Sequence, residues 1–218
     1  MMRIAKDSTH YTWLAWLTIL VISPLESVLA QSEHGPSQLV LHLVDRVGLP
    51  DKACRFMGAE IEKSFKRTGV EILITVFEAH DPAAPLPEGD AVRVHLWPRD
   101  GTFLQTSPMA MGAVRLQNGH ELESAHVFVP VVVQTLTRGR GSVADLTNLE
   151  LGRGLGRVVA HELIHAVATR LPHSRHGLMH HGMTTEFLRS RRPATLDRFT
   201  VEAFTRGLNA RPQLAARR

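Results

Sequence analysis

Residues 160–181 read AHELIHAVATRLPHSRHGLMHH, and this stretch decides both the fold and the chemistry expected of the chain. It begins with an HExxH motif, in which His161 and His165 are four residues apart. Residues four apart lie on one face of a helix, so both imidazoles can bind one metal ion while Glu162 stands beside them. This is the arrangement of a zinc hydrolase. Two imidazoles hold the metal, and the carboxylate takes a proton from the attacking water.

The residues around the motif separate a metal-binding face from a packing face. At about 100° per residue, five hydrophobic residues of this helix share one broad face. They are Val159, Leu163, Ile164, Val167 and Leu171. His161 and His165 point away from the centre of that face, and the small residues Gly154 and Ala168 border them. A core histidine would lie inside the apolar face, and a solvated face would carry long charged side chains, so both alternatives are disfavoured.

The helix is predicted to end at Pro172, and a histidine follows directly. Proline disfavours helical geometry at Leu171 and cannot donate a hydrogen bond to the helix ladder. In a continued helix, His173 would face more than a quarter-turn away from the two motif histidines. A chain reversal at Pro172 can bring it back towards the metal.

The stretch resembles the zincin metallopeptidases, and within them the metzincins, in which a third histidine closely follows HExxH and a methionine-containing turn lies beneath the metal. The pattern HExxH-x7-HSxxG-hydrophobe-M is also similar to a group of short secreted bacterial proteins of metzincin type. The resemblance implies His161, His165 and His173 as ligands of Zn²⁺ and Glu162 as the catalytic base. It further implies a Met-turn whose Met179 packs beneath the ligands.

The resemblance is specific over residues 160–181 and loose elsewhere. The usual metzincin spacing places glycine where this chain has Ala168 and the third histidine where it has Leu171. The assignment of His173 therefore requires a helix that runs slightly longer before it breaks. His176 is the next candidate for the third ligand, and Glu186 is the one after it.

The first 30 residues are typical of a secretory signal peptide. Arg3 and Lys6 precede the uncharged apolar run at residues 13–22, and small residues lead to a cleavage point after Ala30. The run is shorter than the roughly 20 residues of a transmembrane helix, although an uncleaved membrane anchor remains the alternative. We expect a secreted or periplasmic protein with no stable membrane insertion after cleavage.

Length and composition predict one catalytic domain at residues 38–210, between a flexible segment at residues 31–37 and a basic tail at residues 211–218. The formal net charge is +4, and no aromatic residues interleave with the arginine clusters, so nucleic-acid binding is not expected. Cys54 is the only cysteine, which excludes an intramolecular disulfide, and its helical spacing predicts a packed thiol. We expect a monomer.

Periodicity in the rest of the chain predicts an α+β domain. The predicted strands are residues 39–44, 70–77, 91–97, 109–116 and 125–133, and the predicted helices are residues 51–67, the metal-binding stretch and residues 195–208. Thr147 and Glu150 predict a capping box before the metal-binding helix, and Asn118-Gly119 predicts a turn. This order resembles the metzincin catalytic domain. The expected fold is a twisted mixed sheet over the HExxH helix, with one helix before the sheet is completed and one C-terminal helix.

The hypothesis is hydrolysis of an extended peptide or protein substrate that pairs with the free sheet edge at residues 109–116. The only tyrosine is Tyr11, in the signal segment, so His176 and His180 are the candidate donors to the oxyanion, although both can also be exposed loop residues. Six scattered histidines are interpreted as ordinary surface or strand residues. They are His34, His42, His80, His95, His120 and His126.

A second hypothesis is an exported zinc-binding module without peptidase activity. A structural zinc site has four protein ligands, and no cysteine lies near the HExxH stretch to complete one. The peptidase is therefore favoured.

Overall fold

The computed structural model describes residues 37–79, 91–117, 121–139 and 142–211. The predicted signal peptide, the Asn118-Gly119 turn and His34, His80 and His120 lie outside these ranges. So do residues 31–36 of the predicted flexible segment and all of the predicted basic tail except Arg211.

Five strands form one sheet in the order β2-β1-β3-β5-β4. The strands are β1 at Ser37–Asp45, β2 at Val70–Glu78, β3 at Val92–Trp97, β4 at Gly112–Gln117 and β5 at Glu121–Phe128. Strands β2, β1, β3 and β5 run parallel to one another, and β4 pairs antiparallel with β5. The last strand in this order, β4, is therefore an edge strand.

In the described ranges, five α-helices accompany the sheet. They are α1 at Asp51–Phe65, α2 at Val129–Thr137, α3 at Asn148–Val167, α4 at Thr185–Arg189 and α5 at Arg198–Asn209. The alternating residues of β1 and β3 that face α1 and α3 are fully buried and form the core with them. The predicted α+β fold, a mixed sheet over the HExxH helix, is confirmed. No helix of the described residues has both the length and the apolar character needed to cross a membrane.

Glycines allow α3 to pack directly on α1. A Cβ added at Gly152 would lie 2.5 Å from the carbonyl oxygen of Ala53, and one at Gly156 would lie 2.8 Å from that of Met57. Any larger residue would push the two helices apart, so the lower helix propensity of glycine is offset by close packing. The predicted capping box at the start of α3 is also present, between Thr147 and Glu150.

Several predicted element boundaries were wrong, among them the starts of β5 at Glu121 and of α5 at Arg198. The strand predicted at residues 125–133 ends at Phe128, and α2 begins at the next residue with Pro130 in its first turn. Proline is well tolerated there, and burial of the valines that follow overrides their preference for strands. The helix predicted to reach Leu171 ends at Val167, and the strand predicted from residue 109 begins at Gly112. The short α4 was not predicted.

The second face of the sheet carries three of the scattered histidines, His42, His95 and His126, and the last two are buried. The indole N–H of Trp97 donates to Nδ1 of His126 at 2.9 Å, and Ser124 Oγ lies 2.7 Å from Nε2 of the same ring. Burial lowers the pKa of His126 to about 3 and that of His95 to about 4. Both rings are therefore neutral at physiological pH. They are strand residues that pack beneath Trp97, and within the described residues they belong to no group of metal-ligating side chains.

Candidate metal centre

Three histidine side chains converge at the C-terminal end of α3. Nε2 of His173 lies 3.2 Å from Nε2 of His165 and 3.3 Å from Nε2 of His161. Within the described residues, these three histidines form the one group of three or more potential metal ligands. His161 is buried, His165 is half-buried and His173 is exposed, so the cluster opens from the core to the surface.

The chain reverses its direction directly after α3, before it reaches Pro172. The N–H of Ala168 donates to Ile164 O at 2.7 Å, and the N–H of Leu171 donates to Ala168 O at 2.9 Å. These bonds turn the chain before the proline is reached. The longer helix that His173 was predicted to require is therefore not needed.

Two of the three donor separations fit a tetrahedral cation, and all three donor atoms lie within 4.8 Å of one another. His161 Nδ1 lies 2.8 Å from the carbonyl oxygen of Leu178 and donates its proton there, which leaves the Nε2 lone pair facing the other rings. Two nitrogens bound to one Zn²⁺ at about 2.0–2.1 Å in tetrahedral geometry lie about 3.3–3.4 Å apart. The two nitrogen separations at His173 match this spacing closely.

Burial keeps these imidazoles unprotonated. It lowers the pKa of both His161 and His165 to about 4, and it also lowers the pKa of His173, with smaller contributions from His181 and His180. Three neutral imidazoles therefore bring their Nε2 atoms together. Each neutral ring has a single N–H, and that of His161 is used by Leu178, so hydrogen bonds within the cluster leave at least one lone pair facing another, whereas a cation satisfies all three nitrogens.

A tight turn lies beside the histidines. Gly177 has a positive φ of 74°, and the N–H of His180 donates to its carbonyl oxygen at 3.3 Å. Leu178 and Met179, the central residues of the turn, are buried. The N–H of Leu178 donates to Thr195 O at 3.1 Å, while its carbonyl accepts from His161, so the turn connects the cluster to the segment before α5.

Glu162 lies directly beneath the edge strand. A Cβ added at Gly112 would lie 2.6 Å from both Cγ and Oε1 of Glu162, so glycine is the residue that leaves room for this carboxylate. Burial raises the pKa of Glu162 to about 8. A positive charge next to the carboxylate would favour its ionised form instead.

The histidines and Glu162 open into a cleft of about 460 Å³. His180 and His181 line this cleft, whereas the exposed His176 does not. Glu186 is exposed in the first turn of α4 and is not part of the histidine group. The two alternatives to His173 as third ligand therefore lie outside the cluster.

Sequence reasoning missed several residues of this cleft. Thr135 and Arg138 at the end of α2, Val158 one helical turn before Glu162, and Met183 all line it. None belongs to a motif. The contacts that bring them to the cleft join segments far apart in the chain, and local patterns do not report such contacts.

The sheet, the HExxH helix packed against it and the gathered histidines define a metzincin-like zincin fold. Archaemetzincin from Methanopyrus kandleri superimposes with a TM-score of 0.51 at 15% sequence identity, covering 79% of this chain and 96% of that protein. Metalloproteinase-II from Bacteroides fragilis gives a TM-score of 0.49 at 11% identity, with 79% of this chain and 53% of that protein covered. No family model and no curated protein matches the sequence. At these identities the likeness concerns the fold.

Proposed function

We propose that the chain is an exported zinc-dependent metalloendopeptidase. His161, His165 and His173 would hold the zinc ion, and Glu162 would act as the general base. The observation that carries this proposal is the meeting of three imidazole nitrogens beside a buried carboxylate, under the free edge of a sheet. The metzincin-like fold supports it.

The reaction depends on proton transfer by Glu162. When bound, Zn²⁺ would supply Lewis acidity that activates water and polarises the scissile carbonyl. Glu162 accepts the proton of the attacking water and later delivers it to the leaving amine. Met179 is proposed as the Met-turn residue, since it is buried within the turn that accepts the hydrogen bond from His161.

Oxyanion stabilisation would come from the zinc ion and a histidine. Among the described residues that line the cleft there is no tyrosine. His180 lines it, and its Nδ1 lies 3.1 Å from the Gly182 nitrogen and 2.9 Å from the Gly182 oxygen, so Nε2 is a donor in the tautomer whose Nδ1 accepts from the Gly182 N–H. His176 is not retained in this role because it lies outside the cleft.

The substrate would bind as an additional strand. β4 is paired with β5 on one side only, and residues 109–114 form one wall of the cleft. An extended peptide can pair with the free backbone groups of such an edge and lay its scissile bond across Glu162. The signal-peptide pattern of the first 30 residues supports export to the periplasm or the medium. We expect a monomer that does not bind nucleic acid.

Zinc removal tests the proposal. The purified protein is expected to bind one equivalent of zinc and to cleave members of a fluorogenic peptide library, because the metal supplies the Lewis acid. Treatment with 1,10-phenanthroline should abolish cleavage, and added zinc should restore it. His173→Ala is expected to lower zinc affinity about a hundredfold or more, because it removes one of three ligands. His176→Ala is the matched control and should bind zinc normally. One bound equivalent without cleavage of any peptide would favour the zinc-binding module.

A methyl group at Gly112 tests the position of the base. Gly112→Ala is expected to lower kcat about a hundredfold, because the new Cβ displaces Glu162 from its place beneath β4. Zinc stoichiometry should stay at one, since no histidine moves. Gly58→Ala is the control, because its Cβ meets only Ile74 Cδ1 at 3.8 Å. A fully active Gly112→Ala enzyme would show that the carboxylate acts from another position.

A further inference from the structure

One end of the cleft is built by α2 rather than by the metal-binding segment. Thr135 and Arg138 line this end together with Val158, which lies one helical turn before Glu162 on α3. Because Val158 is one helical turn from Glu162 on α3, this end of the cleft is adjacent to the proposed base. A substrate residue next to the scissile bond can reach it.

Two of the residues that line the cleft carry an arginine or carboxylate side chain. Among the described residues that line the cleft, Arg138 is the one with a permanent positive charge and Glu162 is the one carboxylate. The remaining lining side chains are apolar, neutral polar or histidine. Once Glu162 is engaged in proton transfer, the protein offers no second carboxylate there to a cationic substrate.

Contacts with α4 fix the position of Arg138. The hydroxyl of Thr185 donates to Thr135 O at 2.7 Å, and the guanidinium of Arg189 donates to Leu136 O. Arg138 is the next residue after α2, and its own N–H donates to Thr135 O. Within the described part of the chain, no carboxylate lies within ion-pair distance of its guanidinium. The backbone of Arg138 is therefore held at the cleft, and its exposed side chain lines the cleft, where a ligand can reach it.

We propose that Arg138 is a specificity-determining residue that selects substrates with an aspartate or glutamate next to the scissile bond. This inference rests on the proposed peptidase function. A guanidinium presents paired N–H donors that match a carboxylate, which gives both affinity and orientation. The side chain is exposed, so solvent screening limits the effect to about tenfold in kcat/KM.

The competing explanation is that Arg138 only stabilises the end of α2. A cation after the last turn of a helix interacts favourably with the helix dipole. That role predicts no dependence of hydrolysis on the charge of the substrate. Substrate selectivity therefore distinguishes the two explanations.

The test uses three peptides that differ only in the residue beside the cleaved bond, which is Glu, Gln or Lys. The wild-type enzyme is expected to cleave the Glu peptide about tenfold faster than the Gln peptide, with the Lys peptide slowest. Arg138→Glu should reverse this order. Arg55→Glu makes the same change of charge on an exposed position of α1 and should leave the order unchanged. Raising the salt concentration to about 0.5 M should weaken the preference, because exposed charges are screened.

The outcomes separate this inference from the function on which it rests. If the enzyme cleaves peptides but the order is flat, or is the same in Arg138→Glu, the selectivity is refuted and the peptidase stands. If no peptide is cleaved, the peptidase fails, and binding of the same three peptides to the zinc-loaded protein is measured by fluorescence polarisation. Tighter binding of the Glu peptide that reverses in Arg138→Glu supports the inference, and equal binding overturns it.

Discussion

Replacing Glu162 by glutamine is expected to lower kcat on the order of a thousandfold while one equivalent of zinc stays bound. The amide has the size of the carboxylate but cannot accept the proton of the attacking water. Glu162 is not among the converging nitrogen donors, so its loss leaves the metal ligands intact. Steady-state kinetics and zinc analysis on the same preparation measure both effects.

The metal-free protein offers a second readout for the same substitution. Burial raises the pKa of Glu162 to about 8, so the folded state retains a proton that the unfolded state releases near its ordinary value of 4.5. The contribution of Glu162 to the stability of the metal-free wild type should therefore be lost as pH rises from about 4.5 to 8, while the buried histidines, whose pKa values are lowered, act in the opposite sense below about 6.5. Glu162→Gln keeps the histidines but lacks this carboxylate, so the difference in stability between the two proteins should change in favour of the variant as pH rises. Thermal unfolding of both proteins at several pH values measures this difference.

The control for Glu162→Gln is Glu202→Gln. Glu202 is on α5, where it pairs with Arg198 on the surface, so the same chemical change there should leave kcat unaltered. Undiminished hydrolysis by Glu162→Gln would remove this residue from the role of general base. Loss of zinc together with activity would instead make it a residue that supports the metal site.

The grouping of the three histidines was predictable because its parts are local. His161 and His165 are one helical turn apart, and His173 is eight residues further along the chain. The convergence of all three therefore depends on one helix and one reversal. Strands β1, β2 and β3 were predictable for the same reason, since the apolar run of β1, the β-branched run of β2 and the alternation of β3 are properties of each segment alone.

The errors occurred where distant contacts decide the structure. Pro130 is compatible with an edge strand or with the first turn of a helix, and local propensity favoured the strand. The helix forms because Leu136 packs against α3 at Gly154, where a Cβ would lie 2.8 Å from a leucine methyl carbon. The same packing places Arg138 at the cleft, so the missed helix and the missed cleft residues have one cause.

Replacing Arg157 by methionine is expected to lower the free energy of unfolding by about 3–5 kcal/mol. The Arg157 side chain is 1% exposed, and its Nε donates to Glu60 Oε1 at 2.8 Å. Its Nη2 donates to Ser190 O at 2.9 Å and to Arg192 O at 2.6 Å. Methionine fills similar space but leaves a buried carboxylate without its partner and two carbonyl groups without donors. Urea unfolding of the zinc-free protein measures the loss.

A double variant separates the ion pair from the carbonyl contacts. Adding Glu60→Met to Arg157→Met removes the unpaired buried charge, so part of the lost stability should return. The loss of unfolding free energy that remains in the double variant measures the hydrogen bonds from the guanidinium to the carbonyl groups after α4. Arg198→Met is the matched control, since it breaks an ion pair whose arginine is 92% exposed and should cost less than about 1 kcal/mol. Equal losses of unfolding free energy in Arg157→Met and Arg198→Met would mean that solvent reaches Glu60. The packing of α1 against α3 around this pair would then be looser than the fold requires.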